Sequence, residues 1–215
     1  MPIKITERIS FYKSLIKNIE SYKNEFHEVP AERVKLLNEL AMFVRTKESA
    51  GENIDLIFIC THNSRRSHIS QIWAQAAAAY YRIPKVACWS GGTEATAFNP
   101  RAVKAMADLG FKIMKTSESE NPVYEVRFSD SVPPVMAFSK KYDDPFNNTK
   151  DFAAVMTCSH ANEKCPLVPG ATARIALTYD DPKEFDGTPL EAAKYAERVH
   201  EIGRDILFAF SLIKE

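Results

Sequence analysis

The sequence predicts an α/β fold: an open, mostly parallel four-stranded sheet flanked by helices, with an N-terminal helical extension and a β-hairpin-like insertion. Three observations predict it. From Ile54 onward, short apolar runs alternate with helical segments, the pattern of strands joined through helices. Before that point only helical periodicity is visible. Between residues 116 and 150 the apolar runs are short and broken by proline, which suits an extended hairpin or arm better than a helix. These features divide the chain into an extension (residues 1–50) and an α/β domain (residues 51–215) carrying an insertion (residues 116–150).

In the extension, Ile5, Ile9, Tyr12, Leu15, Ile16 and Ile19 recur at three- and four-residue steps, and after Pro30 so do Val34, Leu37, Leu40, Ala41 and Val44. Two amphipathic helices follow, whose apolar faces must bury against the main domain or against a second subunit in a homodimer. Gly51 and Glu52 mark the boundary. The expected strands are Ile54 to Ile59, Lys85 to Trp89, Phe152 to Met156 and Arg174 to Thr178. Alanine-rich Ser67 to Tyr81 is a good helix former. Asn99-Pro100 reads as a cap with a first-turn proline, and Gly110 closes that helix. Thr188-Pro189-Leu190-Glu191 reads as a capping box opening a last helix, which sends Ala192, Tyr195, Val199, Ile202, Ile206, Leu207 and Phe210 to the core.

Composition excludes several classes. The 215 residues are 45% hydrophobic and 26% charged, with 28 basic and 28 acidic residues. No global field favours nucleic acid or an anionic membrane, so any anion preference must be local. No apolar run is long enough for a membrane span, and the N-terminus lacks a signal-peptide core. A cytoplasmic protein is expected. Four cysteines, at 60, 88, 158 and 165, are few for a secreted disulfide scaffold. Cys88 lies in an apolar stretch and reads as a small core residue.

The candidate chemistry sits in Cys60-Thr61-His62-Asn63-Ser64-Arg65-Arg66-Ser67, directly after the first strand. Between a strand and a helix, the N–H groups of Thr61, His62, Asn63, Ser64 and Arg65 can curl around a tetrahedral anion, and Arg66 offers a two-pronged donor. Cys60 lies beneath as nucleophile, since a helix N-terminus, a guanidinium and N–H donors all favour a thiolate. Ser67 can donate its hydroxyl to the sulfur, and Asn63 tolerates the left-handed backbone of a tight curl. His62 is placed to line the mouth or to be solvated. His68, in the first helical turn, is expected to be neutral. Tyr179-Asp180-Asp181-Pro182 follows an expected strand on the same rim, which makes Asp181 the candidate general acid, ahead of Asp180.

These residues resemble the low-molecular-weight protein tyrosine phosphatases and the thioredoxin-coupled arsenate reductases built on the same fold, over roughly Ile54 to Glu215. The loop and the Asp-Pro segment are common to both branches. Thr157-Cys158-Ser159-His160-Ala161-Asn162-Glu163-Lys164-Cys165-Pro166 looks like the redox segment of the reductases. The resemblance implies that Cys60 attacks arsenate held by Arg66, Asp181 protonates the departing hydroxyl, and Cys158 attacks Cys60 to expel arsenite. Cys165 then attacks Cys158, and a thioredoxin-like partner, the electron donor in place of any bound cofactor, reduces the exposed disulfide. A helix over 158–165 would put the two Cα atoms roughly 10 Å apart, too far for a disulfide, so the segment would have to unwind. The alternatives are two structural thiols, or a metal site of Cys158, His160 and Cys165, a spacing unusual for zinc.

Without the redox pair the same site acts as a phosphatase on a tyrosine or small-molecule phosphate ester, with Asp181 later serving as base. A third reading is an oxyanion-binding protein without catalysis. Two departures stand out: Arg65 occupies a position commonly held by cysteine, with His62 for a small residue, and Lys183-Glu184 follows Asp-Pro where tyrosine phosphatases often carry an aromatic residue.

Overall fold

A computed structural model describes residues 9–165 and 167–213; expectations touching Ile5 and Pro166 lie outside them. The central sheet has four parallel strands: β1 (Ile54–Cys60), β2 (Val86–Gly92), β6 (Phe152–Met156) and β7 (Ala171–Ile175), in the order β2-β1-β6-β7. The first strand runs down the middle and is buried along its whole length. Its residues alternate between two cores, Leu56 and Phe58 on one face, Ile57 and Ile59 on the other. Each such side chain contributes about 1.5–3 kcal/mol by leaving water.

Helix α3 (Arg66–Tyr80) carries the chain from β1 to β2 and is buried from Ser67 to Ala79. Its alanines let it lie close to the sheet. The long helix α6 (Glu191–Ser211) covers it from outside. A Cβ on Gly203 would come within 2.7 Å of the Trp73 ring, so only glycine allows this approach. Gln71 and Gln75 donate to the carbonyls of Cys88 and Val86, and the Gln75 carbonyl accepts from Cys88 N–H, which occupies backbone groups on the outer strand. Cys88 is buried as expected, and burial pushes its thiol well above the ordinary range.

The N-terminal helices α1 (Lys13–Asn24) and α2 (Ala31–Ser49) pack on α6, and Leu15, Ile19, Leu37, Leu40 and Val44 join the core of the sheet. Their apolar faces are therefore covered within one chain. Ile9 and Tyr12, expected inside the first helix, precede it. Phe11 bridges Ser129, Tyr12 N–H donates to the Phe128 carbonyl, and the Phe11 and Phe128 rings stack at 5.2 Å. An isolated antiparallel bridge satisfies the backbone there, where periodicity alone favoured a helix.

The insertion forms the expected hairpin, β4 (Tyr124–Arg127) with β5 (Val135–Ala137). A third strand, β3 (Lys112–Lys115), begins ahead of residue 116 and pairs with β4, so the small antiparallel sheet is larger than the sequence indicated. Two other boundaries also move. Strand β7 lies three residues before the expected Arg174 to Thr178, because Gly170, at φ +84°, turns the chain straight into pairing with β6. Helix α4 (Pro100–Asp108) is capped by Asn99 as predicted. In contrast, α6 starts at Glu191, whose carboxylate accepts from Gly187 N–H while Thr188 N–H donates to the Phe185 carbonyl, so the expected capping box does not close and Ala192 stays exposed.

His68 is fully buried and stacks on Phe98 at a centroid distance of 4.3 Å. Burial, reinforced by the Lys140 charge, pushes its pKa down to about 3. The imidazole is neutral, as its place in the helix indicated. Its folded value lies below the unfolded one, so between about pH 6.5 and pH 3 only the unfolded chain takes up the proton. Stability is complete above pH 6.5 and falls on acidification at about 1.4 kcal/mol per pH unit from this group. Urea midpoints measured from pH 7 to pH 4.5 should show the slope, and a His68→Phe variant should lose it.

Candidate active site

The end of β1 and the start of α3 form the loop, and its geometry follows from how each side chain is held. Asn63 adopts φ +44°, the left-handed conformation anticipated for it. The Lys140 backbone N–H donates to Asn63 Oδ1 at 2.9 Å, which fixes the amide so that Nδ2 donates to Ser67 Oγ at 2.8 Å. With its oxygen accepting from Asn63, Ser67 is free to direct its proton to Cys60 Sγ, 3.1 Å away. Both Cys60 and Ser67 are buried, so no bulk water competes for the sulfur.

The carbonyls of the loop turn outward. Cys60 O accepts from Thr93 N–H, Thr61 O from Glu94 N–H, and Ser64 O from Asn99 N–H, while His62 O accepts the hydroxyls of Thr96 and Ser139. Among the described residues, the N–H groups from Thr61 to Arg66 donate to no protein acceptor, as an anion cradle requires. Gly92 permits this packing, since a Cβ there would meet Asn63 N and Thr61 O at 2.7 Å. The segment after the hairpin thus braces the loop through Ser139 and Lys140. Nothing in the sequence marked those two residues.

Arg66 reaches across to the 179–181 segment. Its Nη1 donates to the Tyr179 carbonyl at 2.9 Å and its Nη2 to Asp181 Oδ2 at 2.6 Å, while Nε is buried without a protein partner. Asp181 is therefore beside the Arg66 guanidinium, and Asp180 points to solvent with its side chain 98% exposed. Of the two aspartates, Asp181 is the one that the structure brings to the loop. Asp181 also caps the short 3-10 turn Pro182–Phe185 by accepting from Lys183 N–H.

Arg65 keeps its backbone N–H in the cradle, but its side chain turns away from it. Its Nε donates to the Tyr195 hydroxyl at 2.7 Å and its Nη2 lies 3.5 Å from Asp186, which also accepts from that hydroxyl. Burial pushes the Tyr195 phenol up to about 12, so it stays a donor. The Arg65 side chain is spent on tying the loop to α6, and its charge is matched by Asp186. No local pattern in the chain signals this network. His62 stands at the mouth, partly exposed, with Nε2 3.7 Å from Glu94.

The two redox candidates flank α5 (Ser159–Lys164), Cys158 as its N-cap and Cys165 as its C-cap. Strands β1 and β6 are parallel neighbours with Ile59 opposite Met156, which brings Cys158 to the strand end beside the loop. Thr61 Oγ1 is 3.5 Å from Cys158 Sγ and 3.1 Å from His160 Nδ1. Cys158 is buried and accepts from Ala161 N–H; Cys165 is partly exposed. Both pack with Cys60 in the second apolar core. Arg174 on β7 donates to the Cys165 carbonyl and to both oxygens of Asn162, holding the end of the helix. A cleft of about 600 Å³ opens over the site, lined by Arg66, Cys158, His160, Asp181, Phe185 and Arg198 among others.

A buried thiol under a loop of unpaired N–H groups at the switch point of a parallel sheet, with an aspartate on the facing loop, is the arrangement that oxyanion chemistry on a cysteine requires. The fold is that of a low molecular weight phosphotyrosine phosphatase from Vibrio cholerae O395, matched at a TM-score of 0.50 and 13% identity over 76% of this chain and 98% of that one. No family model matches the chain. Among curated proteins, the arsenate reductase of Bacillus subtilis (strain 168) is 31% identical over 153 residues, 71% of this chain and 91% of its own length. The arsenate reductase of Shouchella clausii (strain KSM-K16) is 32% identical over 152 residues, 70% of this chain and 91% of its own length. The chain belongs to the arsenate reductase family.

Proposed function

We infer that this protein reduces arsenate to arsenite with Cys60 as nucleophile and Cys158 and Cys165 as the thiols that reset it. The observation that carries the reading is the bridge from the loop to the redox segment, Thr61 Oγ1 to Cys158 Sγ at 3.5 Å, beside a sulfur already held by Ser67. The Cys60 thiolate displaces a hydroxyl from arsenate, which leaves as water with a proton from Asp181. The Cys158 thiolate then attacks Cys60 Sγ. A Cys60–Cys158 disulfide forms, and the electron pair of the broken sulfur–arsenic bond leaves arsenic as arsenite. Two thiols have lost two electrons and arsenic has gained two. Cys165 attacks Cys158, which releases Cys60, and a thioredoxin-like dithiol reduces the Cys158–Cys165 disulfide by exchange. No bound cofactor enters this scheme. Four free thiols suit a reducing compartment such as the cytoplasm, and no helix among the described residues is long and apolar enough to cross a membrane.

One observation keeps a phosphatase activity as second reading. The aromatic residue missing directly after Asp-Pro is supplied by Phe185, which lines the cleft and could stack on an aryl ester. Parallel assays decide between the two. With thioredoxin, thioredoxin reductase and NADPH, the wild type should turn over arsenate. Cys60→Ser should lose arsenate reduction and aryl phosphate hydrolysis alike, by at least about 10³-fold. Cys158→Ser should lose only the reduction. Aryl phosphate turnover in a wild type that never reduces arsenate would establish the phosphatase instead.

A further inference from the structure

The acid loop is held from behind by a residue of the N-terminal helices. Arg33, in the first turn of α2, donates through Nη1 to the Thr178 carbonyl at 2.8 Å and through Nε to Asp205 Oδ2 at 2.7 Å. Its Cζ lies 4.1 Å from the centroid of the Tyr179 ring. Asp205, on α6, is wholly buried, and the Arg33 side chain is only 14% exposed. The next carbonyl along the chain, that of Tyr179, is the one that receives Arg66 Nη1. Asp181 follows two residues later and receives Arg66 Nη2.

A cation in the first turn of a helix is opposed by the helix dipole, so Arg33 does not serve α2 itself. Its geometry serves the segment it touches. A guanidinium can donate to a carbonyl and a carboxylate at once while lying flat on a ring, and a lysine cannot. Arg33 thereby fixes both the peptide plane of Thr178–Tyr179 and the Tyr179 ring. Together these set the carbonyl on which Arg66 rests.

We propose that Arg33 is a positioning residue for the oxyanion site, coupling the N-terminal helices to Arg66 and Asp181 through the Thr178–Tyr179 peptide. The proposal deepens the enzymatic reading given above, but it concerns anion binding and does not depend on which oxyanion is processed. Its test therefore uses inorganic phosphate as probe, with binding followed by titration calorimetry and by protection of Cys60 from alkylation.

Arg33→Lys retains a charge for Asp205 but not the second prong to Thr178. It should keep a melting temperature near that of the wild type yet bind phosphate roughly tenfold more weakly, with a matching rise in KM for an aryl phosphate or arsenate. Arg33→Met should lose both stability and affinity. Coupling is reciprocal, so in the unmutated protein saturating phosphate should slow amide exchange in the first turns of α2. That measurement needs no variant to fold. Unchanged phosphate affinity in a folded Arg33→Lys protein, or no phosphate effect on exchange in α2, overturns the proposal. Weak phosphate binding in Arg33→Lys alongside an absence of arsenate reduction in the wild type would retain the proposal and discard the reductase reading.

Discussion

A Cys165→Ser variant is expected to release about one equivalent of arsenite per active site and then stop, whereas Cys158→Ser releases none. The difference follows from electron counting. Reduction of arsenate takes two electrons, which in the proposed mechanism the Cys60 and Cys158 thiols supply as they join. Cys158 is placed for that attack, beside Thr61 and buried at the strand end next to the loop. Without it, the arsenic adduct on Cys60 can only reverse. Without Cys165, the first disulfide forms but has no internal thiol to move it outward. Cys60 and Cys158 are both buried, so a protein reductant reaches neither sulfur readily. Rapid-quench measurement of arsenite, with thioredoxin present throughout, distinguishes zero, one and many equivalents. Sustained turnover by Cys165→Ser would remove Cys165 from the scheme.

The proposed relay of thiols also makes a demand on α5. Cys158 and Cys165 cap its two ends, and seven helical steps separate their Cα atoms by roughly 10 Å, beyond the reach of a disulfide. The helix must therefore unwind as Cys165 attacks. A six-residue helix is held by its surroundings and not by its own cooperativity, so the cost is small. The contacts to be released are those of Arg174 with the Cys165 carbonyl and Asn162.

What the sequence disclosed and what it hid divide along one line. Cys60, Asn63, Arg66, Ser67, Cys158, Cys165 and Asp181 were legible because each belongs to a short segment whose chemistry is local: a loop between a strand and a helix, an Asp-Pro turn, two cysteines a fixed distance apart. The central strands were legible for the same reason. Arg33, Asp186, Tyr195, Ser139 and Lys140 were not, since each acts on a partner far away in the chain, 145 residues in the case of Arg33 and Thr178. No periodicity records such a contact. Arg65 shows the limit from the other side: its place in the loop points to its N–H, but not to the buried tyrosine and half-buried aspartate on more distant elements that hold its guanidinium. Ile9 to Tyr12 likewise had a helical pattern that bridging to residues 128–129 overrode.

Asp181→Asn is expected to lower arsenate turnover by about 10²–10⁴-fold, while Asp180→Asn stays within about threefold of wild type. In the resting site Asp181 is held by Arg66 Nη2 at 2.6 Å and lies 3.9 Å from Arg65 Nε. In the proposed mechanism an arriving oxyanion competes for Arg66, and the Asp181 carboxyl is then the group that hands a proton to the departing oxygen. Asparagine keeps the shape and can still accept from Arg66, but it has no proton of suitable acidity to give. The loss should therefore appear in kcat, with KM little changed. It should also depend on the leaving group. For aryl phosphates, an acidic phenol departs without help and a phenol near pKa 10 does not, so the Asp181→Asn defect should grow as the phenol becomes less acidic. Asp180, 98% exposed and 3.8 Å from Arg198, has no such role, and a leaving-group series should not separate its variant from the wild type. An Asp181→Asn enzyme whose rate falls equally for every phenol would show that the carboxylate orients Arg66 and does not deliver the proton.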